Sequence, residues 1–412
     1  MHHRLRRRSP NNKLSTKRHF VDPSRRRICV VGSCAGPVLF EDWDRRYTGG
    51  AEVQQVLLAR ALADRGHDVS FIIQSPDRPP TLTTQGIRVY AYRAPRLAPG
   101  VNAFVKCARL WRLLSRIQPE IIYQRMADWT TGVCAAYAQQ YGIALFHAVA
   151  SDRDVHVDEE MDGNWWQSKL YSWGLRRASV VLAQHRGQWE SLRSGFGIDA
   201  QVFPSVYADA PVEADRERAG VYWVSMIRPN KRPEFLLELA RRLPDVPFVL
   251  VGGPEGDAES RYYYDRIAAC ASEIPNVRFT GFLSPTQVDA ELSRAALLVS
   301  TTQPRREGLP VSFLQAWRQA VPTVGFAAAG LDDALQQTGW SVRNPDELAE
   351  VVRSVYADPQ RRRARGLQAR RYFSEHHAMS VVIPKFEALM GHTLTRLGNG
   401  VAQPHSEVGA FA

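Results

Sequence analysis

The chain has 412 residues, too many for one ordinary domain and enough for two of about 150 to 200 residues each; 44% are apolar and 23% charged, so each half can bury a core. The net charge of +11 is concentrated in residues 1–27, which hold eight Arg, two Lys and one Asp, so the remaining 385 residues carry only +2 and argue against a nucleic-acid-binding body. No apolar run reaches the length of about 18 residues needed to cross a membrane, and the five scattered cysteines (Cys29, Cys34, Cys107, Cys134, Cys270) suggest neither a disulfide framework nor a zinc site.

The basic tail, residues 1–26, lacks the apolar middle of a secretory signal and is expected to be disordered. No specific role is assigned to it; weak attraction to anionic lipid headgroups comes next and nucleic acid last. The cysteine usage reads as reduced, buried thiols in a cytoplasmic protein, peripheral at the inner membrane face if the tail engages lipid.

The first domain is expected over 27–207. It opens with a strand from Arg27 through Ile28-Cys29-Val30-Val31-Gly32, followed by a long Gly- and charge-rich loop, Ser33 to Tyr47. The loop closes on Thr48-Gly49-Gly50-Ala51-Glu52, where a helix with an apolar face starts and runs to the Gly66 stop signal. Two glycines there would let backbone N–H groups approach a diphosphate. Strands follow at 67–73, 87–92, 121–123 and 143–148, with helices at 104–117 and 131–141, the alternation of a parallel sheet. The polar segment after them carries Asp152-Arg153-Asp154, His156 and Asp158. An Asp-x-Asp pair suits Mn²⁺ or Mg²⁺ on a nucleotide sugar, but a solvated loop at a strand end is the preferred reading. A helix, the strand Val180–Ala183 and a helix closed by Gly195 come next, then a charged linker at 208–218.

The second domain is expected over 219–378. Its first strand, Val221 to Met226, leads into a loop with Arg228 and Lys231 before a helix starting near Pro233. Two cations in a strand-to-helix loop would neutralise a departing nucleoside diphosphate. Further on come a strand ending in Gly252-Gly253, a helix at 261–272, and the strand, loop and helix around Phe282-Leu283. From Leu297 the chain gives a strand, a polar loop ending Glu307-Gly308-Leu309-Pro310, and a helix from Val311 carrying Gln315. A loop and helix at the carboxyl end of a parallel strand are where open α/β sheets put ligands. Helices at 345–356 and 359–376 follow, residues 379–396 are expected as a helix crossing back to the first domain, and 397–412 as disordered.

The stretch Glu307-Gly308-Leu309-Pro310 through Leu314-Gln315-Ala316, then Ala320-Val321-Pro322, resembles the donor-site signature of retaining glycosyltransferases of family 4, which have the GT-B fold: two Rossmann-like α/β domains facing a cleft. The family pattern there is Glu, seven residues, Glu, and Gln315 holds the second carboxylate's place. The resemblance implies that Glu307 lies beside the transferred sugar, that the backbone amides of Gly308 and Leu309 hold sugar and diphosphate oxygens, and that Gln315 contacts the nucleotide ribose. It also places Gly49-Gly50 across the cleft from the diphosphate, the base near Phe282-Leu283, and Lys231 in the family's Gly-Arg, four residues, Lys pattern, with Ser225 and Met226 in the Gly and Arg positions and Arg228 as substitute. A catalytic or donor-contacting His at the end of a first-domain strand is matched in type by His147, with Asp152 the other candidate for that place.

The activity implied is transfer of a sugar, with retention, from a UDP- or GDP-linked donor to a glycan, lipid-linked or small-molecule acceptor, as in cell-surface polysaccharide assembly. No metal or other cofactor is expected. No paired-carboxylate nucleophile stands out, so a double displacement is not implied. A degenerate scaffold that binds nucleotide or a partner, prompted by Met226 and Gln315, and a sugar-nucleotide epimerase on the same architecture are the alternatives.

Overall fold

The computed structural model describes residues 25–40, 43, 49–75, 78–93, 99–156, 165–211, 217–303, 308–328 and 331–399. The basic tail up to residue 24, the C-terminal stretch from 400, Thr48, Asp158 and Glu307 lie outside the described residues.

The first sheet contains β1 (Arg27–Val31), β2 (Asp68–Gln74), β3 (Thr81–Thr84), β4 (Ile87–Tyr92), β5 (Ile121–Arg125), β6 (Ala144–Ala148), β7 (Val180–Ala183) and β8 (Gln201–Val202), in the order β3-β4-β2-β1-β5-β6-β7-β8. All its pairings are parallel except that of β3 with β4. This β3–β4 hairpin went unpredicted. Its turn is Gln85-Gly86, with φ of 45° and 76°, the left-handed pair that two-residue hairpins require. The second sheet contains β9 (Val221–Val224), β10 (Phe248–Val251), β11 (Val277–Gly281), β12 (Leu297–Ser300), β13 (Thr323–Phe326) and β14 (Gly339–Val342), all parallel, in the order β11-β10-β9-β12-β13-β14.

Strand periodicity builds the cores. Ile28 and Val30 of β1 face one layer, with the Gly50–Asp64 helix, while Cys29 and Val31 face the other, with the helices Pro99–Ile117 and Thr130–Tyr141. Val221 and Trp223 of β9 likewise face one layer and Tyr222 the other. Of the cysteines, Cys29 and Cys134 are buried, but Cys34 is exposed at the rim of the cleft between the sheets, contrary to the expectation of buried thiols. Among the described residues no helix is long and apolar enough to cross a membrane.

The chain passes between the two sheets twice. The first passage runs past Tyr207 and the second past His377-Ala378, and they pair with each other: Tyr207 N–H donates to the His377 carbonyl at 3.0 Å, and Met379 N–H to the Tyr207 carbonyl at 3.1 Å. The Gln54 side chain clamps the first passage, donating to the Val206 carbonyl (2.7 Å) and accepting from its N–H (2.8 Å). Beyond the second passage the helix Met379–Gly398 returns to the first sheet. There Phe386 meets Tyr123, Phe146 and Phe203 edge-on or tilted at 5.5 to 5.8 Å.

Several helix boundaries differ from expectation: the helix expected at 104–117 begins at Pro99, that expected at 261–272 begins at Ala258, and that expected at 379–396 runs on to Gly398, into the stretch expected to be disordered. The helix after β7 runs Arg186–Phe196 through Gly195 and stops at Gly197, whose φ of +67° supplies the left-handed cap. The helix assigned from Tyr171 onward begins at Trp165.

Candidate active site

Between the sheets lies a cleft of about 600 Å³, lined by segments just beyond the carboxyl ends of strands from both. Strand order reverses between β1 and β5 in one sheet and between β9 and β12 in the other, and at such a point the loops diverge and leave a crevice. Gly49, Gly50, Arg228, Lys231, Phe282, Leu283, Leu309 and Gln315 all line the cleft.

Lys231 sits in a 3-10 turn, Pro229–Lys231, and is buried. Its position is set from behind. The Thr301 hydroxyl lies 2.7 Å and 2.8 Å from the carbonyls of Lys231 and Arg232, and accepts from the Trp223 indole at 2.8 Å. Arg232, at φ +49°, donates to the carbonyls of Thr301 (2.8 Å) and Thr302 (3.0 Å) and stacks over Phe235 and Phe326. The loop after β9 is thereby tied to the end of β12 across the switch point. Arg228 reaches the same cleft, but its guanidinium pairs with Glu255, a residue the sequence reasoning did not single out.

Gly50 packs against the second domain: a Cβ there would lie 3.2 Å from Val311 Cγ2, at the start of the Val311–Arg318 helix. Gly49 leaves room for the Glu52 carboxylate, which a Cβ would strike. Glu52 is buried in the cleft wall, and that burial pushes its carboxyl above the usual range, against its own backbone amide and nearby Arg228. Its place three residues after Gly49 was visible in the sequence, but burial was not.

The Leu309 N–H is already engaged. It donates to Gln184 Oε1 at 2.9 Å, while Gln184 Nε2 donates to the carbonyls of Val149 (3.3 Å) and Ala150 (3.1 Å), so one first-domain amide side chain bridges the cleft. Gly308 has no side chain to collide with that amide. Gln315 is buried, and its amide donates to Tyr207 Oη (3.0 Å) and Asp289 Oδ1 (3.1 Å). Arg318 completes this group, paired to Asp289 at 3.0 Å and lying over the Tyr207 ring.

His147 is not brought to the cleft. It is fully buried in β6, its ring edge-on to Tyr171. Because the Tyr171 hydroxyl donates to the Asp154 carbonyl at 3.0 Å, His147 Nε2 serves as donor to that oxygen at 3.4 Å, while Nδ1 has no hydrogen-bond partner among the described residues. Burial first, and Arg125 second, depress its pKa to about 3, so the ring is neutral. The residues after β6 that do line the cleft are Ala150, Ser151, Arg153 and Asp154. The expected solvated loop is instead a buried 3-10 turn, Asp152–Val155, with a capping box between Ser151 and Asp154. Asp152 accepts from His185 (3.0 Å) and Gln188 (2.9 Å); Asp154 accepts from the N–H groups of Ala150 (2.7 Å) and Ser151 (3.3 Å). The two carboxylates thus face different partners, and among the described residues no group of three or more His, Cys, Asp or Glu side chains is placed to hold a metal.

Residues 49–204 match the family model of the glycosyl transferase 4-like domain, and residues 218–358 that of glycosyl transferases group 1. The D-inositol 3-phosphate glycosyltransferase of Mycolicibacterium gilvum (strain PYR-GCK) is 30% identical over 173 residues, 40% of this chain and 38% of that protein, so the likeness spans well under half of the curated relative's length. Sucrose-phosphate synthase from Thermosynechococcus elongatus has the same fold, with a TM-score of 0.74 at 18% identity over 90% of this chain and 100% of that one. Anabaena HepE in complex with UDP-glucose superimposes with a TM-score of 0.68 at 15% identity, over 90% and 100% of the two chains. With two Rossmann-like sheets around one cleft and a family match on each, the chain belongs to the glycosyltransferases of the GT-B fold, a glycosyl transferase 4-like domain followed by a glycosyl transferases group 1 domain.

Proposed function

We propose that the protein transfers a sugar from a UDP- or GDP-linked donor to a glycan, lipid-linked or small-molecule acceptor, with retention at the anomeric carbon and without a metal ion. The observation that carries this reading is convergence on one cleft: Lys231, Arg228, the start of the Val311–Arg318 helix and the Gly49-Gly50 turn all line it. As the bond from the anomeric carbon to the diphosphate oxygen lengthens, negative charge collects on the leaving group. A buried ammonium held in place beforehand stabilises that charge more than one in water would. Lys231, which is buried, and Arg228, which pairs with Glu255, are the cations read in this role. Retention, and the place of Glu307 beside the sugar, rest on the resemblance of the donor-site stretch.

The UDP-glucose complex of HepE supports a UDP-sugar as donor. Metal independence, like retention, rests on the resemblance; Asp152 and Asp154 each accept hydrogen bonds within the protein. One observation favours a second reading, a nucleotide-binding scaffold without turnover: the Leu309 amide and the Gln315 side chain are both engaged within the protein.

The test is a thermal-shift panel of UDP-, GDP- and ADP-sugars, with and without EDTA, on the wild type and on Lys231→Ala, followed by assay of released nucleoside diphosphate. A donor at 100 times its Kd adds about 2.7 kcal/mol to the native state. The reading stands if one donor stabilises the wild type, EDTA leaves the shift intact, and Lys231→Ala removes it. A shift without sugar release under any acceptor supports the scaffold, and a shift abolished by EDTA overturns metal independence.

A further inference from the structure

The strand β5 ends on a cation inside the cleft. By strand alternation Tyr123 and Arg125 share one face, and Tyr123 packs there in the apolar layer against Phe386. Arg125 continues that face to the carboxyl end of β5, where strand order reverses beside β1, and it lines the cleft. It is only 7% exposed. Its one hydrogen bond among the described residues is long, Nη2 to Ser205 Oγ at 3.4 Å, and its Nε has no partner there. A guanidinium keeps its charge when buried and offers five N–H donors, so a single long bond leaves it costly to bury unless an anion supplies the rest.

The carboxylates described around the cleft do not supply it. Glu255 pairs with Arg228, and Asp154 accepts from the N–H groups of Ala150 and Ser151. Glu52 lies against Gly49 at the start of its own helix, and none of the three forms an ion pair with Arg125. Burial favours the neutral form of Glu52, on which Arg228 bears more strongly than Arg125 does. His147, which also feels Arg125, is neutral. Glu307 and the acidic stretch 158–162 lie outside the described residues. A carboxylate from either that paired with Arg125 would make removal of the arginine destabilising, because it would leave the acid buried alone.

We propose that Arg125 is a substrate-anion site: from the first-domain wall of the cleft, its guanidinium takes a phosphate or carboxylate group of a bound substrate. The planar fork of arginine matches either oxyanion through two parallel N–H···O bonds. Two sources carry that chemistry, the diphosphate of the donor and an anionic group on the acceptor. Naming those sources rests on the transferase reading, whereas the anion site itself does not. With either source the bound group supplies the negative charge that the chain leaves out, so the empty protein carries the cost of an unpaired cation and the occupied one does not.

The experiment is a set of melting curves of the full chain as wild type, Arg125→Met and Arg125→Lys. Each is melted ligand-free, with UDP or GDP, and with inorganic phosphate or glucose 6-phosphate added over saturating nucleotide, glucose being the uncharged control. Ligand-free Arg125→Met is expected to melt at or above the wild type, because an unpaired buried charge is removed. A clearly lower melting point overturns the proposal, since the arginine is then already paired within the chain. If the donor is the source, Arg125→Met binds the nucleotide about tenfold or more weakly, and phosphate adds nothing over it. If the acceptor is the source, the nucleotide shift is kept, and the further shift that phosphate or glucose 6-phosphate, but not glucose, gives the wild type is lost in Arg125→Met. Arg125→Lys, which keeps the charge without the fork, should fall between the two. Equal shifts, or none, in wild type and Arg125→Met under every condition overturn the proposal. A wild type that neither nucleotide shifts, but that phosphate shifts only when Arg125 is present, counts against the transferase reading alone.

Discussion

Gln315 stands where the donor-site signature of the family carries a carboxylate, and its surroundings give a reason. Its amide donates to Tyr207 Oη and to Asp289 Oδ1, and Asp289 also holds Arg318. A carboxylate at 315 would exchange a donor for an anion about where the Asp289 carboxylate is 3.1 Å away. Burial already raises the pKa of Asp289 against the lowering effect of Arg318, Gln315 and Tyr207. Gln315→Glu is therefore expected to destabilise the protein by about 1–3 kcal/mol, the range for a buried group that loses its partner. Asp289→Asn in the same chain should restore most of it. Urea denaturation of the single and double variants checks this; equal stability of Gln315→Glu and wild type would mean that the two side chains are not coupled.

Among the elements, the helices Thr130–Tyr141 and Trp165–Leu175 approach through glycine. A Cβ on Gly174 would lie 2.7 Å from Gly132 Cα, backbone that cannot turn aside. Gly174→Ala should push the helices apart and cost about 1–3 kcal/mol, as overpacking in a rigid site does. Gly195→Ala, at a helical glycine whose added Cβ meets nothing within 4 Å, is the matched control and should be neutral or slightly stabilising. Thermal melts of the two variants distinguish them. These helices also wall an apolar groove lined by Trp111 and Trp166 among others, so the spacing of its sides is set by two residues that have no side chains of their own.

For the whole molecule, two buried histidines bear on acid stability. Burial lowers the pKa of His147 to about 3 and that of His377 to about 4, the latter against the hydrogen bond to the Ser205 carbonyl. Below about pH 6.5 the unfolded chain binds protons at both positions while the folded chain does not, so stability falls as the pH drops. Each histidine contributes about 1.4 kcal/mol per pH unit while its folded form stays neutral. Glu52, Asp154 and Asp289 act in the opposite sense, since burial raises their pKa values and their contribution is lost as pH rises. The histidine part is isolated by difference: His147→Leu/His377→Asn should show a shallower loss of stability than wild type between about pH 6 and 4 in urea titrations at stepped pH. Parallel pH profiles would mean that neither ring is neutral in the folded chain.

Much of this was legible in local pattern. Alternating apolar strands and amphipathic helices imply parallel sheets, because each element reveals its period within a few turns of chain. The Gly49-Gly50 turn, Lys231 and the Leu309–Gln315 stretch fall on strand-to-helix loops, and in parallel sheets those loops gather at one edge whatever the strand order. What local pattern leaves open is which way a side chain faces and what it meets. His147 lies within a strand whose alternate faces both look buried, and the packing of Tyr171 behind it decides that it faces a helix layer. Asp152 and Asp154 look solvated as text, yet a capping turn and the partners His185 and Gln188, more than thirty residues on, bury them. Gln184 carries no motif; its bridge to Leu309 spans 125 residues of sequence and exists because the two sheets face each other. Sequence by itself determined most of the elements, the order of their loops and the cations, Arg228 and Lys231, that those loops carry. Only tertiary structure decided which of those groups face the cleft and which are already engaged, because burial and pairing come from chain segments that no local window contains.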